Sequence, residues 1–273
     1  KHFAVGGFDS TCYALTEAIL RAAEESNTPL LLMVPPFAFG RSYDDAYTRH
    51  MVQRCKEVTV PVALHLDHAT HIEDIRRAIV SGFSSVMIDA SFLPFDQNVK
   101  LTKAVVAMAH DCGVSVEAEI GNVGGGEASL TASTADSNYY TKPEEAVAFA
   151  ESTNIDSLAI AFGTIHGPYS GTPKLDFELL RTIRQMLPQL PLVMHGGSGL
   201  HDDDFQAAVV AGINKVNIFT EISTLYTASL AKAIVASGST AHLHQVITPA
   251  EDSVVEAIKH YMYLFGTPKA NAL

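Results

Sequence analysis

The sequence predicts an α/β protein, a (β/α)8 TIM barrel with an extra C-terminal helix, and three observations predict it. Short apolar, β-branched runs recur along the chain, and each is followed by a stretch whose apolar residues have helical spacing. There are eight such units, at intervals of roughly 30 residues over about 250, which is the size and rhythm of a barrel of this kind. The runs are apolar at nearly every position, as parallel strands covered on both faces require.

The first run is Phe3 to Phe8, followed by a helical pattern with Leu15, Ile19 and Ala22 on one face. Pro29 to Val34 is the second strand, with a helix from about Tyr43. Val60 to Leu66 is the third, with a helix over Ile72 to Ser81. Ser85 to Asp89 is the fourth, with a helix over Asn98 to Asp111. Val114 to Ile120 is the fifth. A segment rich in Gly, Ser, Thr and Ala, Gly121 to Thr141, then breaks the rhythm and reads as a long structureless loop before a helix opening at Pro143. Ser157 to Phe162 is the sixth strand, with a helix over Phe177 to Met186. Pro191 to Met194 is the seventh, with a helix over Asp203 to Ala211. Lys215 to Phe219 is the eighth, with a helix from Ile222 to Ala236, and a last helical stretch, Ser253 to Leu264, closes the chain. A doubly wound open sheet is the alternative, but no Gly-x-Gly-x-x-Gly turn follows an early strand. No Pro/Ser linker or charge run divides the chain, so residues 1–273 read as a single domain.

Composition narrows the function. Of 273 residues, 47% are apolar and 18% charged, enough for a large core and against wholesale disorder. Asp and Glu (30) outnumber Lys and Arg (18), a formal charge of −12 that argues against nucleic-acid or anionic-membrane partners. A small anion remains a possible substrate where backbone N–H groups and a metal bind it. No apolar run approaches the ~20 residues of a membrane span. Cys12, Cys55 and Cys112 are too few and too scattered for a disulfide framework, which fits a reducing cytoplasm. The chain opens at Lys1, so a short N-terminal piece is expected to be missing, and nothing visible reads as a signal peptide.

In a barrel of this type the active site lies at the C-terminal ends of the strands. The third strand ends in Asp67-His68, the fourth in Asp89, and the fifth carries Glu117 and Glu119 on one face. Gly163 to Gly167 with His166 follow the sixth, His195-Gly196-Gly197-Ser198-Gly199 the seventh, and the eighth carries Asn217 and reaches Thr220. His68, His166 and His195 close three different strands, and three imidazoles with an open position are a catalytic zinc arrangement; each alone could equally be a hydrogen-bonded strand-end residue. His71 rivals His68 as a ligand, though a surface position at a helix start accounts for it better. Asp67, beside a proposed ligand, suits general acid/base work or the orienting of an imidazole. Asp89, Glu117 and Glu119 are open between orienting groups, polar core residues and ligands for another metal position. Gly196, Gly197 and Ser198, with Asn217 to Thr220, suit a phosphate, because barrels of this type place phosphates at the loops after strands seven and eight. Glu127, in the long loop, is either a base carried on a mobile lid or part of a solvated loop.

These residues lie within stretches that resemble the class II, metal-dependent ketose-bisphosphate aldolases, the family of fructose- and tagatose-bisphosphate aldolases. The stretches are Leu66 to Thr70 (LDHAT), Met87 to Ser91 (MIDAS), Asn98 to Gly121, Ala161 to Phe177 (AFGTIHGPYSGTPKLDF), His195 to Leu200 (HGGSGL) and Gly212 to Glu221 (GINKVNIFTE). They run in family order, from Leu66 to Glu221, and so span more than half of the chain. The resemblance implies that His68, His166 and His195 hold zinc and that Asp67 moves the proton at the substrate oxygen. It implies that Gly167, Gly196 to Ser198 and Asn217 to Thr220 hold the dihydroxyacetone-phosphate half. It places Glu127 where the family's mobile loop carries a catalytic Glu. It also implies a monovalent cation (Na+ or K+) near the phosphate, and a homodimer or homotetramer.

The implied reaction is reversible cleavage of a phosphorylated ketose, a ketose 1,6-bisphosphate or a related ketose 1-phosphate, through a zinc-stabilised enediolate. Lys174 and Lys215 sit at no obvious apolar strand centre, which argues against a Schiff-base lysine. The sequence departs from the family wording in FAVGGFDS, in PPFAFGRSY after the second strand, at the bulky Phe219, and in GGGEAS. The rival readings are a barrel metallohydrolase and a catalytically silent sugar-phosphate binding protein on the same barrel.

Overall fold

The computed structural model describes residues 2–39, 44–125, 129–238 and 240–272. Eight strands form one closed, all-parallel barrel in sequence order: β1 (Val5–Asp9), β2 (Leu30–Val34), β3 (Val62–Ala69), β4 (Ser85–Ile88), β5 (Ser115–Ile120), β6 (Ser157–Ile160), β7 (Leu192–Met194) and β8 (Ile213–Ile218), with β8 pairing back on β1. The helices that cover them are α1 (Tyr13–Ser26), α2 (Asp44–Glu57), α3 (Ile72–Ser81), α4 (Phe95–His110), α5 (Pro143–Thr153), α6 (Phe177–Met186), α7 (Asp202–Ala211) and α8 (Thr220–Ala236). α9 (Leu243–Leu264) follows and lies against α1 and α8. The fold expected from the sequence is therefore the fold observed.

Local chemistry explains why the helices start where they do. Asp176 caps α6, its carboxylate accepting the Leu179 N–H at 2.9 Å, and Pro143 occupies the first turn of α5, where its missing N–H costs nothing. Asp202, Asp203 and Asp204 set negative charge on the first turn of α7. Two boundaries differ from expectation. α9 begins ten residues before Ser253 and runs through Pro249, a residue that would be expected to end a helix. The Gly121 to Thr141 segment is not structureless where it is described. Gly124 bridges to Ile165, Ser133 bridges to Tyr169, and Ser137–Tyr139 forms a 3-10 turn.

The far end of α9 fastens the N-terminal mouth of the barrel. The Ala4 N–H donates to the Phe265 carbonyl at 2.9 Å, and the Thr267 hydroxyl donates to the Ala4 carbonyl at 2.6 Å. Tyr261 and Phe265 pack with Phe205, and Tyr261 also meets Phe8 of β1. At the other mouth, where β5 and β6 part, buried Thr141 holds them together. Its hydroxyl donates to the Ile120 carbonyl (2.6 Å) and accepts from the Ala161 N–H (2.8 Å).

Thr141→Val keeps the shape and removes both bonds, leaving two buried backbone groups unpaired. It should cost about 1–3 kcal/mol, seen as a lower urea midpoint at unchanged slope; an unchanged midpoint would show that β5 and β6 are held otherwise.

Candidate active site

The strand ends deliver their polar side chains to one cavity. Asp9 from β1, Asp67 and His68 from β3, His166 after β6, His195 to Ser198 after β7 and Asn217 from β8 all line it, with Gly167, Phe219 and Thr220. Strand alternation alone would send Asp67 and His68 to opposite faces. The register of β3 on β4 shifts between Leu66 and Ala69, and His68 takes a left-handed backbone at φ 44°. That irregularity turns two successive side chains toward the same mouth. The third strand thus runs past Leu66, where the sequence suggested it would stop, and carries its bulge at the residues that matter.

His166 reaches the cavity on a loop that is hydrogen-bonded across to the β5 side, its N–H donating to the Gly124 carbonyl at 2.7 Å. Tyr169 ties this loop to the one after β7: its hydroxyl accepts from the Ile165 N–H (3.2 Å) and donates to the Gly196 carbonyl (2.8 Å). Gly196 has φ 67°, and a Cβ there would collide with the backbone of Ile165, so no other residue lets the two loops pass this closely. Ser198 and Thr220 are joined through the start of α8, where the Glu221 N–H donates to Ser198 Oγ at 3.3 Å. The expected phosphate elements therefore form one continuous wall.

His68, His166 and His195 each offer a ring nitrogen within 4.8 Å of the others. Their planes stand nearly perpendicular, at 82° to 88°, so the nitrogens converge and the rings do not stack. Two carboxylates fix the tautomers. His68 Nδ1 donates to Asp89 Oδ2 at 3.0 Å, and His195 Nε2 donates to Glu117 Oε1 at 2.9 Å. The other nitrogens, His68 Nε2 and His195 Nδ1, turn toward each other at 2.6 Å, and Asn217 Nδ2 reaches His195 Nδ1 at 3.5 Å. Burial, followed by the neighbouring imidazole charge, keeps the His166 and His195 pKa values below the usual range, so both rings are neutral donors. This donor set fits a divalent zinc ion.

Two further groups of potential ligands lie beside it: His65 with Asp67 and Glu117, and His68 with Asp89 and Glu119. The first already encloses a cation. Lys215 Nζ lies 2.7 Å from Glu117 Oε2 and 3.4 Å from His65 Nε2. This corrects the expectation for Lys215, which stands inside β8, only 6% exposed, in the barrel interior. It does not line the cavity, and Glu117 holds its ammonium. Burial pushes the Glu117 carboxyl up, but Lys215, His195 and His65 outweigh burial and hold it below the usual carboxylate range.

Asp67 sits under the same influences. Burial would raise its pKa, but His68, His65, His195 and Lys215 hold it well below the ordinary value, so the carboxylate is charged. Asn217 Nδ2 donates to its Oδ1 at 3.0 Å, while Asn217 Oδ1 itself is buried with no hydrogen-bond partner among the described residues. Glu119 behaves differently. Oε1 accepts the Val123 N–H, Oε2 has no hydrogen-bond partner among the described residues, and burial together with the Asp89 charge pushes it up to about 8.

The three carboxylates that the sequence left open are thus separated: Asp89 and Glu117 orient imidazoles, and Glu119 is a buried carboxyl whose pKa burial raises. His71 is exposed at the start of α3 and takes no part. Glu127 lies outside the described residues. Sequence reasoning missed Asp9, Tyr169 and the interior His65–Lys215 pair. Asp9 had the same signal as the others, a polar residue closing a strand.

Comparison with known proteins agrees with the geometry. The model of the class-II fructose-bisphosphate aldolase family matches residues 1–269. The chain is 40% identical over 269 residues to a fructose-bisphosphate aldolase of Staphylococcus epidermidis, covering 97% of this chain and 92% of that one. It is 39% identical over 268 residues to a fructose-bisphosphate aldolase of Geobacillus stearothermophilus, with the same coverage. The crystal structure of the YdjI aldolase from Escherichia coli K12 superposes with a TM-score of 0.85 at 30% identity, over 100% of this chain and 94% of that chain.

The raised Glu119 makes stability depend on pH. An unfolded Glu titrates near 4.5, so between about 4.5 and 8 the folded chain keeps a proton that the unfolded chain has lost. Its contribution is full below that window and is lost as pH rises through it. After chelation, Glu119→Gln should lose stability less steeply than the parent between pH 5 and 8, read from urea midpoints; equal slopes would show that another group titrates.

Proposed function

The chain belongs to the class-II fructose-bisphosphate aldolase family, and on that premise we propose that it reversibly cleaves a phosphorylated ketose, a ketose 1,6-bisphosphate or a related ketose 1-phosphate, to dihydroxyacetone phosphate and an aldehyde. It is a class II aldolase, a carbon–carbon lyase. The observation that carries the rest of the reading is the convergence of ring nitrogens from His68, His166 and His195 within 4.8 Å of one another, with His68 and His195 held on their far sides by Asp89 and Glu117.

His68, His166 and His195 would hold a zinc ion. When bound, zinc supplies the Lewis acidity that stabilises negative charge growing on the ketose oxygens as the carbon–carbon bond breaks. Asp67 takes the proton from the C4 hydroxyl. Its carboxylate is already charged, and Asn217 fixes its direction. Gly167, Gly196, Gly197, Ser198, Asn217 and Thr220 hold the dihydroxyacetone-phosphate half. Backbone N–H groups of the loop after β7 and the first turn of the seventeen-residue α8 provide for the phosphate without a basic side chain. Glu127 is our candidate for the group that returns a proton to the carbon left behind, and a monovalent cation, Na+ or K+, accompanies the phosphate.

The family resemblance and the surface support a homodimer or homotetramer, since Ile234 and Val235 on α8 and Leu243 at the start of α9 are apolar and exposed, Val235 by 79%. No helix among the described residues is long and apolar enough to cross a membrane, and the described cysteines are free, which suits a cytoplasmic protein.

The test is condensation of dihydroxyacetone phosphate with an aldehyde before chelation, after it, and after zinc is restored. Activity should vanish and return, and activity that survives chelation would remove the metal from the scheme. His195→Ala should lose bound zinc by elemental analysis together with turnover. Asp67→Ala should keep stoichiometric zinc and lose about 10²–10⁴-fold in kcat; near-normal kcat would leave Asp67 a structural role only.

A further inference from the structure

Lys215 is a costly residue where it stands. It lies inside β8, almost wholly buried, and its Nζ donates to the equally buried Glu117 Oε2 at 2.7 Å. Burying such a pair strips both ions of their water, and apolar side chains of the same volume often stabilise a core as well or better. Packing alone therefore gives no reason for the pair. Contact with the substrate gives none either, because Lys215 does not line the cavity over the imidazoles. Its side chain borders a groove at the opposite mouth of the barrel, beside Val5, Leu31 and Asn214.

The two oxygens of Glu117 have separate duties. Oε1 accepts from His195 Nε2 at 2.9 Å, while Oε2 accepts from Lys215 and, at 3.2 Å, from the Ser157 hydroxyl. Ser157 is the register partner of Glu117 across β5 and β6, so its hydroxyl comes from the adjacent strand. The ammonium comes from across the barrel, and it is fixed on its own far side. His65 Nε2 lies 3.4 Å from Nζ, and an ammonium only donates, so this nitrogen is the acceptor. His65 Nδ1 then donates to Ser85 Oγ at 2.8 Å, and Ser85 is the register partner of His65 across β3 and β4. Lys215 is thus held between two side chains that the strands orient, and it fixes the plane of the Glu117 carboxylate.

We infer that Lys215 is a positioning residue for the metal ligand His195: by holding Glu117 Oε2 it keeps Oε1 on His195 Nε2, which leaves Nδ1 as the nitrogen offered to zinc. The inference rests on the zinc reading above. Without the ammonium, Oε2 keeps the Ser157 hydroxyl but loses its counter-charge. The carboxylate is then free to turn, and His195 to present either nitrogen.

The experiment uses zinc alone as the probe. Its Kd on the full chain is measured by competition with a chelating dye, at a temperature where circular dichroism shows each variant folded. Lys215→Met keeps the length of the side chain and removes the charge, and it should raise the zinc Kd by about tenfold. A change of less than about threefold overturns the inference. Should the Met variant not fold, Lys215→Gln, which keeps a polar donor in the barrel, takes its place under the same threshold.

Glu117→Gln should weaken zinc by about tenfold or more. Adding Lys215→Met to it should change Kd by less than about threefold, since the carboxylate through which Lys215 acts is already gone. A larger further loss overturns the inference, because Lys215 would then act by another route. Nitrogen-15 spectra of the chelated protein give a readout that a merely stabilising lysine would not move. His195 should be protonated at Nε2 in the parent and lose that preference in the Lys215 variant, and an unchanged tautomer overturns the inference. If the parent itself binds no zinc, the metal reading falls and takes the inference with it; tight binding by parent and variant alike overturns the inference alone.

Discussion

The site depends on holding three imidazoles, above all His68 and His195, so that their ring nitrogens converge. Left alone, His68 and His195 would rotate apart or exchange a proton. Each is prevented by a carboxylate on its other nitrogen, Asp89 for His68 and Glu117 for His195. Glu117 can serve only because it stays ionised inside the barrel, and Lys215 is what keeps it so. A buried carboxylate without that ammonium would take up a proton, and the His195 tautomer would no longer be fixed. The chain of dependence runs from an ammonium in the barrel interior to a nitrogen at its mouth.

The same constraint explains the backbone of β3. A regular strand can present Asp67 or His68 to the site, not both, yet the chemistry needs a charged oxygen and a neutral nitrogen within a few ångströms. The register shift and the left-handed His68 satisfy both demands at a local conformational cost. The surrounding strand pairs, β2 to β3 and β3 to β4 over Leu66 and earlier, are regular and hold the distortion in place.

The legibility of this arrangement in the sequence followed the physics of strands. Eight apolar runs in βα rhythm specify a parallel barrel, and the barrel places strand ends together, so His68, His166 and His195 could be grouped although 127 residues separate the first from the last. What could not be read depended on contacts between strands at interior positions. Lys215 reads from the sequence as standing at no apolar strand centre, because the sequence does not show that Glu117 stands across the barrel to receive it. Tyr169 lies in a loop where only the tertiary fold reveals that it bonds the loops after β6 and β7 together. Pro249 misled for the opposite reason, since packing of α9 on its neighbours outweighs a local rule.

The site also divides its labour by atom type. The wall assigned to the phosphate end uses glycines and the start of α8, where main-chain groups set the geometry and few substitutions are tolerated: a side chain at Gly196 would strike Ile165. The groove beyond Phe219 is made of side chains on loop positions and on α8, among them Phe37, Leu130 and Thr227. The bulky Phe219 stands at the boundary, in contact with both cavities, and its ring rests on Phe37. Main-chain walls thus meet side-chain walls one residue before α8 begins.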